Sequence, residues 1–423
     1  MSNVFLLHPP KHPISHVVRI GHTGHKILEN LYTAGRAPIS RAVVDAGHSL
    51  HQKELIATLS NSGVEIILDT KAAELASIAG IHSKAGQLPW ANANRPHNPT
   101  DWAGHEGVKL ARAVADFAIG SGINTVLSPA HLIKNMASPW LVTDLHTTHN
   151  LRHALDQRGG DNIRIDYHLM LPIGLLKEID QLQVVLQRLR SVPVDNVWLR
   201  VSGYGMDGSP AGTKRFIEAA WALSKFNKPL IADQVGGLVG LALAAFGAVG
   251  GICQGVAEKE NFQVSGWNRA PGPGGSSEKR IYLPQLDMFL YKSKAEIFMA
   301  GRNAKSLVTC NDRTCCQKPE DMFDQSQAHA LTQSARAIEH LNNQPELKRI
   351  DHLLGKIIPE TGRNLRKARK IKISDEKLTR RIAKKSDRLD LMYQTLERLN
   401  SDLESVPIAL SPISNVNPVK KAG

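Results

Sequence analysis

Three of the four cysteines in this chain fall within seven residues, and a histidine follows them. Cys310, Cys315 and Cys316 lie in the stretch Cys-Asn-Asp-Arg-Thr-Cys-Cys, and His329 comes thirteen residues later. Three thiolates and one imidazole form a closed tetrahedral Zn²⁺ site, which supports local structure and leaves no coordination position for catalysis. The cluster therefore predicts structural zinc. A redox pair and free thiols are the alternatives, and His340 is a rival fourth ligand.

A second set of candidate side chains lies at the ends of short apolar runs rich in Val, Ile and Leu. Asp45 precedes an Ala-Gly pair small enough for a flat ring to approach the backbone, whereas Asp69 is equally explained as a helix N-cap. His168 is equally explained as a hydrogen-bonded core histidine. The full set of polar residues that end or follow these runs is Asp45, Asp69, Ser128, His168, Arg200 and Asp233.

The apolar runs alternate with helix-like segments, which is the pattern of parallel βαβ units. Eight such runs within about 260 residues fit a (β/α)₈ barrel in both number and length. An open doubly wound sheet is the runner-up, but no Gly-x-Gly-x-x-Gly follows the first run. Barrel enzymes place their chemistry at the carboxyl ends of the strands, so the polar residues above are expected to share one mouth. The predicted strands are 17–20, 42–45, 64–69, 123–127, 163–169, 197–201, 229–233 and 248–252.

Glycine pairs accompany the last two predicted strands. Gly236 and Gly237 follow the seventh strand, and Gly250 and Gly251 lie at the eighth. Glycine exposes backbone N–H groups, and barrels often bind phosphate after these two strands. The pairs therefore predict close approach of a substrate, although glycines also simply permit tight turns. Residues 265–277, rich in Gly and Pro, are predicted to form a flexible loop over the same face.

The charge of the chain is concentrated near its end. The formal net charge is +13, and residues 346–423 contain 18 Lys and Arg against 10 Asp and Glu. Two dense stretches, 363–372 and 377–385, carry apolar residues at roughly helical spacing. Basic helical surfaces attract phosphate backbones through counterion release, so this segment predicts contact with nucleic acid. A solvated helical face that packs on the barrel is the alternative.

The predicted division of the chain is a barrel over residues 1–290, a zinc-binding subdomain over 291–345, a basic helical segment over 346–406 and a disordered tail over 407–423. The tail is rich in Pro, Ser and Asn. The first residues lack the pattern of a secretory signal, and no run approaches the roughly 18 apolar residues of a membrane span. Because a thiolate metal site suits a reducing compartment, we expect a cytoplasmic protein.

These residues resemble the tRNA-guanine transglycosylase family. Asp45-Ala-Gly is similar to the Asp-Ser-Gly-Gly base-recognition motif of that family, and the cysteine cluster with His329 is similar to its zinc ligands. The resemblance covers about residues 40–345 and implies a (β/α)₈ barrel with a zinc subdomain. Two motifs depart from the family pattern. The Cys-x-Cys-x-x-Cys spacing is absent, and 247–253 replaces the family's nucleophilic aspartate with a run that has no carboxylate.

The resemblance implies a glycosyltransferase that replaces guanine by a 7-deazaguanine in tRNA or DNA through a glycosyl-enzyme intermediate. Asp233 is then the nearest nucleophile, with Asp287 as the other candidate, and Asp45 holds the purine edge. Arg200 binds the base carbonyl or a phosphate. Two other functions stay open: a barrel enzyme that acts on a phosphorylated small molecule, and a non-catalytic nucleic-acid-binding component of a modification or defence system. Association with a second copy or a partner protein also stays open.

Overall fold

The computed structural model describes residues 11–22, 24–36, 39–256, 260–270 and 278–414. Eight parallel strands close into one barrel, in which each strand pairs with the next along the chain. Nine strands occur up to this closure, and all except β7 belong to the barrel. They are β1 (Ser15–Arg19), β2 (Arg41–Asp45), β3 (Glu65–Asp69), β4 (Thr125–Leu127), β5 (Arg164–Pro172), β6 (Val197–Ser202), β7 (Tyr204–Gly205), β8 (Leu230–Asp233) and β9 (Gly251–Gly255).

The first and last barrel strands pair with each other and so close the ring. On one side of β1, Val17 lies opposite Arg41 of β2, and on the other side Ser15 lies opposite Gly251 of β9. The Val and Ile of the runs suit such strands, because branched side chains pack well on a pleated surface. The predicted (β/α)₈ barrel is confirmed. The doubly wound alternative is excluded, since an open sheet would leave its two edges unpaired.

Helices connect the strands and cover the outside of the barrel. Within the described ranges, no helix combines the length and the apolar character needed to cross a membrane. The helices of the barrel region are α1 (His25–Thr33), α2 (Ala46–Ser49), α3 (Lys53–Asn61), α4 (Ala72–Leu75), α5 (Ile78–Ile81), α6 (Gly104–Gly120), α7 (Pro139–Gln157), α8 (Ile179–Leu189), α9 (Pro210–Ser224) and α10 (Gly237–Ala245). Those that follow it are α11 (Lys292–Met299), α12 (Ala304–Val308), α13 (Asp321–Asp324), α14 (Ser326–Asn342), α15 (Arg349–His352), α16 (Ile358–Arg369) and α17 (Glu376–Ser401).

Three short strands follow the barrel and build its surroundings. β10 (Asn261–Phe262) pairs with β7, while β11 (Arg280–Leu283) and β12 (Met288–Tyr291) form an antiparallel hairpin. The hairpin packs against α14, and the last helix, α17, packs against both α16 and α9 of the barrel. The predicted basic segment is therefore helical, and it lies against the outside of the barrel.

Side chains fill the barrel in three layers, because every second residue of a barrel strand points inward. The lower layer, at the amino ends of the strands, is polar and contains Arg41, Glu65, Thr125 and Asp166. The middle layer is a separate buried apolar cluster of Val17, Val43, Ile67, Leu127, Trp198, Ile231 and Cys253. The upper layer, at the carboxyl ends, contains Arg19, Asp45, Asp69, His168, Arg200 and Asp233. The apolar layer thus separates two charged layers.

The lower end of the barrel is covered by residues 407–414, where the sequence analysis predicted a disordered tail. The Ile413 N–H donates to Asn196 Oδ1 at 2.8 Å, and the Ser414 hydroxyl donates to Glu65 Oε2 at 2.5 Å. The prediction of disorder is wrong for residues 407–414. Their polar composition could not show that they would form hydrogen bonds with buried acceptors at the base of the barrel. Residues 415–423 lie outside the described residues.

Candidate functional site

An ion-pair network joins four strands at the upper, carboxyl-terminal mouth of the barrel. Arg19 of β1 places Nη1 2.6 Å from Asp69 Oδ2 and Nη2 3.0 Å from Asp233 Oδ2. Arg200 of β6 places Nη2 2.6 Å from Asp233 Oδ2 and 3.3 Å from Asp69 Oδ2. All four side chains are at most 9% exposed. Two guanidinium groups therefore lie between two buried carboxylates from opposite sides of the barrel.

The arginines keep both buried carboxylates ionised. Burial alone would raise the pKa of Asp233, but the charges of Arg19 and Arg200 outweigh it and hold that pKa well below its usual range. The pKa of Asp69 is also lowered, because Arg19, Lys71 and Arg200 together outweigh its burial. Removing either carboxylate would leave two buried guanidinium groups with less counter-charge, which is the costly way to break a buried ion pair.

His168 completes the network from β5. Its Nε2 lies 3.0 Å from Asp233 Oδ2, and because the carboxylate can only accept, Nε2 carries the proton that it donates. Burial, followed by the charge of Arg200, lowers the pKa of His168 to about 4. The ring is therefore neutral at pH 7. Its backbone N–H points to the hydroxyl of Ser128, which is buried after β4.

Asp233 is at the mouth, as predicted, but its oxygens are already occupied. Oδ2 accepts from Arg200 Nε at 2.8 Å, from Arg19 Nη2 at 3.0 Å and from His168, while Oδ1 accepts from Arg19 Nη2 at 3.2 Å. Its side chain has no exposed surface. In this arrangement Asp233 orients the two arginines, and its fully buried carboxylate is not exposed to a substrate.

Asp45 is the more open carboxylate of the upper layer. Its contacts are long, 3.5 Å to Arg19 Nη1 and 3.8 Å to Lys71 Nζ, and its side chain is 16% exposed. The space beside Gly47 is not open to a ring, because a Cβ there would lie 3.0 Å from the backbone of 84–85. The reason given for Asp45 from the sequence is therefore wrong, although its position at the mouth agrees with the prediction.

A short segment covers the mouth from above. The Phe262 ring lies 5.4 Å from the Arg200 guanidinium carbon, and the Trp267 ring lies 5.2 Å from that of Phe262. The Val264 N–H donates to the Ser202 hydroxyl at 3.2 Å. Among the described residues, the cavity that Trp267 shares with Asp69, His168 and Arg200 has a volume of about 10 Å³, so this segment restricts access to the arginines. The loop predicted over 265–277 lies on this face as far as residue 270, and 271–277 lie outside the described residues.

The four predicted glycines do not form a substrate surface. β9 begins at Gly251, so Gly250 and Gly251 lie at the amino end of the barrel, where a Cβ on Gly250 would lie 1.9 Å from the Leu410 carbonyl oxygen. The prediction placed the strand three residues too early. A Cβ on Gly236 would meet Gln254, and one on Gly237 would meet Asp287 Oδ1 at 2.3 Å. Close packing within the protein explains these positions.

Asp287, the other candidate nucleophile, lies outside the mouth. Its Oδ1 accepts from the Leu238 N–H at 3.2 Å, at the start of α10, and its Oδ2 lies 2.7 Å from Lys385 Nζ. A carboxylate is favourable at a helix N-terminus. Asp287 therefore occupies the place after the seventh barrel strand where a bound phosphate was expected.

The structure brings the four predicted metal ligands together. Ligand atoms of Cys310, Cys315, Cys316 and His329 all lie within 4.8 Å of one another, and all four residues are buried. The sulfurs of Cys315 and Cys316 each lie 3.4 Å from His329 Nδ1, and they are 3.8 Å apart. A tetrahedral zinc with Zn–S bonds of about 2.3 Å places its sulfurs about 3.8 Å apart. The cluster therefore fits a metal ion of this kind.

The surroundings of the cluster agree with that arrangement. His329 Nε2 lies 3.1 Å from the Tyr282 carbonyl oxygen, which fixes the ring and turns Nδ1 towards the sulfurs. The hydrogen bond between the two sulfurs lowers the pKa of Cys315 and raises that of Cys316. His340 lies in the last turn of α14, outside the cluster, so it is not the fourth ligand.

Two residues of the mouth, Arg19 and Lys71, were not predicted from the sequence. Arg19 lies inside the otherwise apolar run 17–20, and a charged residue in a buried strand is itself a signal of a partner inside the barrel. Lys71 follows Asp69 in a left-handed turn, and its ammonium also lies near Glu74. Nothing in the sequence distinguished Lys71 from the other lysines on the surface.

Comparisons with known proteins find structural likeness without a sequence match. No family model matches the chain, and no curated protein matches it. Among solved structures, a type I 3-dehydroquinate dehydratase from Clostridium difficile has a TM-score of 0.37 at 9% identity, over 63% of this chain and 93% of that one. A GH26 β-mannanase from Bacteroides ovatus has a TM-score of 0.37 at 13% identity, over 62% and 86%. An HpcH/HpaI aldolase from Desulfitobacterium hafniense DCB-2 has a TM-score of 0.33 at 13% identity, over 58% and 86%. The closed barrel of eight parallel strands places the protein among (β/α)₈ barrels. These distant likenesses do not indicate its activity.

Proposed function

We propose that this protein is a barrel enzyme that acts on a small polar molecule at the mouth of its (β/α)₈ barrel. The proposal depends on the contrast between two carboxylates of the upper layer, Asp233 and Asp45. Asp233 is saturated by two arginines and a histidine, whereas Asp45 has only contacts of 3.5 Å and 3.8 Å and some exposure. A fixed charged network next to one open carboxylate is an arrangement suited to catalysis.

In this proposal Asp45 is the catalytic residue. Its carboxylate acts as a general base that takes a proton from the substrate, because its lone pairs are not committed to short hydrogen bonds. Arg19 and Lys71 flank it and supply positive charge for an anionic group of the substrate. Asp233 and Asp69 act as positioning residues, since they hold Arg19 and Arg200 in one geometry.

Transglycosylation of a nucleic-acid base is a second candidate, and one observation favours it. A Cys₃His cluster with the geometry of a zinc site follows a barrel that holds both Asp45 and Asp233 at its mouth. The order of parts agrees with the implied family. For base exchange, Asp233 would have to leave its arginines before it attacked C1′, while Asp45 held the base.

We also propose that the metal of the Cys₃His cluster is structural Zn²⁺. Three cysteines and a histidine already occupy the four positions of a tetrahedral ion, so the metal would order the subdomain and take no part in the reaction. Chemistry is accordingly assigned to residues of the barrel mouth alone.

Two assays on the full-length protein separate the candidate functions. The first follows turnover of a panel of sugar phosphates and nucleotides, and the second follows incorporation of labelled guanine or a 7-deazaguanine into tRNA and duplex DNA. Turnover in the panel without base incorporation supports the small-molecule enzyme. Incorporation that Asp233→Asn abolishes supports base exchange. Activity in neither assay would contradict both enzymatic proposals and favour the non-catalytic function.

A further inference from the structure

One face of α17 carries a row of cationic side chains. They recur at positions 377, 380–381, 384–385 and 388, a spacing that places them along one side of a helix, next to the buried stripe that includes Leu378, Ile382 and Leu389. The row therefore points away from the core yet stays close to the neighbouring elements. Its members are Lys377, Arg380, Arg381, Lys384, Lys385 and Arg388.

This row forms one wall of a cavity of about 400 Å³. The opposite wall contains Met206 and Asp207, which follow β7, together with Asp287, Met288 and Phe289 of the hairpin region. Both segments lie beside the loops that follow the sixth and seventh barrel strands, because Asp287 contacts the start of α10. The cavity is therefore on the same side of the barrel as the mouth.

The cations of the cavity outnumber its anions. Six cationic and two carboxylate side chains line it, and Glu376 outside the lining pairs with Arg380, which leaves an excess of three positive charges. Lys385 Nζ lies 2.7 Å from Asp287, and Arg388 Nη1 lies 3.9 Å from Asp207. Arg381 donates to the Phe289 carbonyl oxygen at 2.7 Å. This contact orients the guanidinium group but does not neutralise its charge.

Two lysines of the row have no partner for their ammonium groups among the described residues. Lys377 and Lys384 are exposed and make no ion pair there. Two basic side chains of α16 differ, because Arg366 pairs with Asp390 at 3.2 Å and Arg369 pairs with Asp387 at 3.2 Å. The positive charges of Lys377 and Lys384 are therefore available to a ligand in the cavity.

We propose that this cavity binds the phosphate groups of a ligand. Closely spaced Lys and Arg side chains are suited to two or more neighbouring phosphates, and the Phe289 and methionine surfaces provide an apolar contact for the attached group. The inference deepens the proposed function, since it places the phosphate of the substrate at the rim of the barrel. The phosphates belong either to a free phosphorylated molecule or to a nucleic-acid backbone, which share this chemistry.

The test measures binding by isothermal titration calorimetry with two probes, inorganic pyrophosphate and a single-stranded oligonucleotide, at several salt concentrations. The variant Lys377→Gln/Lys384→Gln removes two cavity charges that support no contact of the fold. The matched control, Lys367→Gln/Lys370→Gln, removes two charges from exposed positions at the end of α16, outside the cavity. We expect the cavity variant to weaken binding about tenfold and the control to change it less than about twofold.

The two probes identify the source of the phosphate. Pyrophosphate binding that the oligonucleotide does not displace supports a free phosphorylated ligand. Oligonucleotide binding with a salt dependence that the cavity variant reduces supports a nucleic-acid backbone. Failure of both probes to bind, or equal loss in the control, would overturn the proposal. Asp45→Asn is expected to leave pyrophosphate binding unchanged. The binding measurement therefore tests the phosphate site in the cavity independently of the catalytic role of Asp45.

Discussion

Arg200 Nη2 lies 2.6 Å from Asp233 Oδ2, and this buried pair joins the sixth and seventh strands of the barrel. Neither side chain is more than 5% exposed. Arg19 reaches the same carboxylate from the first strand, so one carboxylate holds two guanidinium groups. The stability of the barrel and the geometry of its mouth therefore depend on the same residue.

The change Asp233→Asn is expected to destabilise the protein by about 3–5 kcal/mol, because it removes one of the two buried carboxylates that Arg19 and Arg200 share. Urea denaturation followed by circular dichroism measures this. Asp45→Asn is the matched control, and its long, partly exposed contacts predict a loss below about 1 kcal/mol. Equal effects of the two changes would contradict the role of Asp233 as the anchor of the arginines.

Acidification is expected to destabilise the protein through His168. Its pKa falls from the ordinary 6.5 to about 4 in the folded protein, so the unfolded chain binds more protons between these values. The stabilisation is complete above pH 6.5 and is lost as the pH falls towards 4, by an amount on the order of 3 kcal/mol. The free energy of unfolding measured from pH 7.5 to 4 checks this. His168→Gln should give a flatter profile, and an unchanged slope would refute the assignment.

Loss of one cluster ligand is expected to release the metal. Cys315→Ser removes a thiolate from the proposed zinc site, so the metal content should fall from about one per chain to near zero, and the melting temperature should drop. Elemental analysis of freshly reduced protein measures the content. Cys253→Ser is the control, because Cys253 lies in the middle layer of the barrel and should leave the metal in place. A wild-type protein without zinc would contradict the proposal.

The order of elements could be predicted from the sequence because each barrel strand is a short apolar run with a polar end. Asp45, Asp69 and Asp233 stand at those ends, so their position at one mouth followed from the fold. The cysteine cluster could also be predicted from the sequence, since three of its four ligands lie within seven residues.

Other features depended on distances that a sequence does not contain. The saturation of Asp233 needs Arg19 and Arg200 from strands 1 and 6, far apart in the chain. Gly250 and Gly251 were misassigned because a shift of three residues in one strand moves its glycines to the other end of the barrel. The pairing of Arg366 and Arg369 with acidic residues of α17 depends on the packing of the two helices, which are separated by a turn in the sequence.

Turnover of the substrate identified by the panel tests most directly whether the reaction takes place at the mouth with Asp45 as the catalytic carboxylate. We expect Asp45→Asn to lower kcat by about 10²–10⁴-fold while the fold is retained. The matched change Asp161→Asn, at an exposed position before β5 and thus at the opposite end of the barrel, should alter kcat by less than about twofold. An Asp45→Asn variant as active as the wild-type protein would contradict the account.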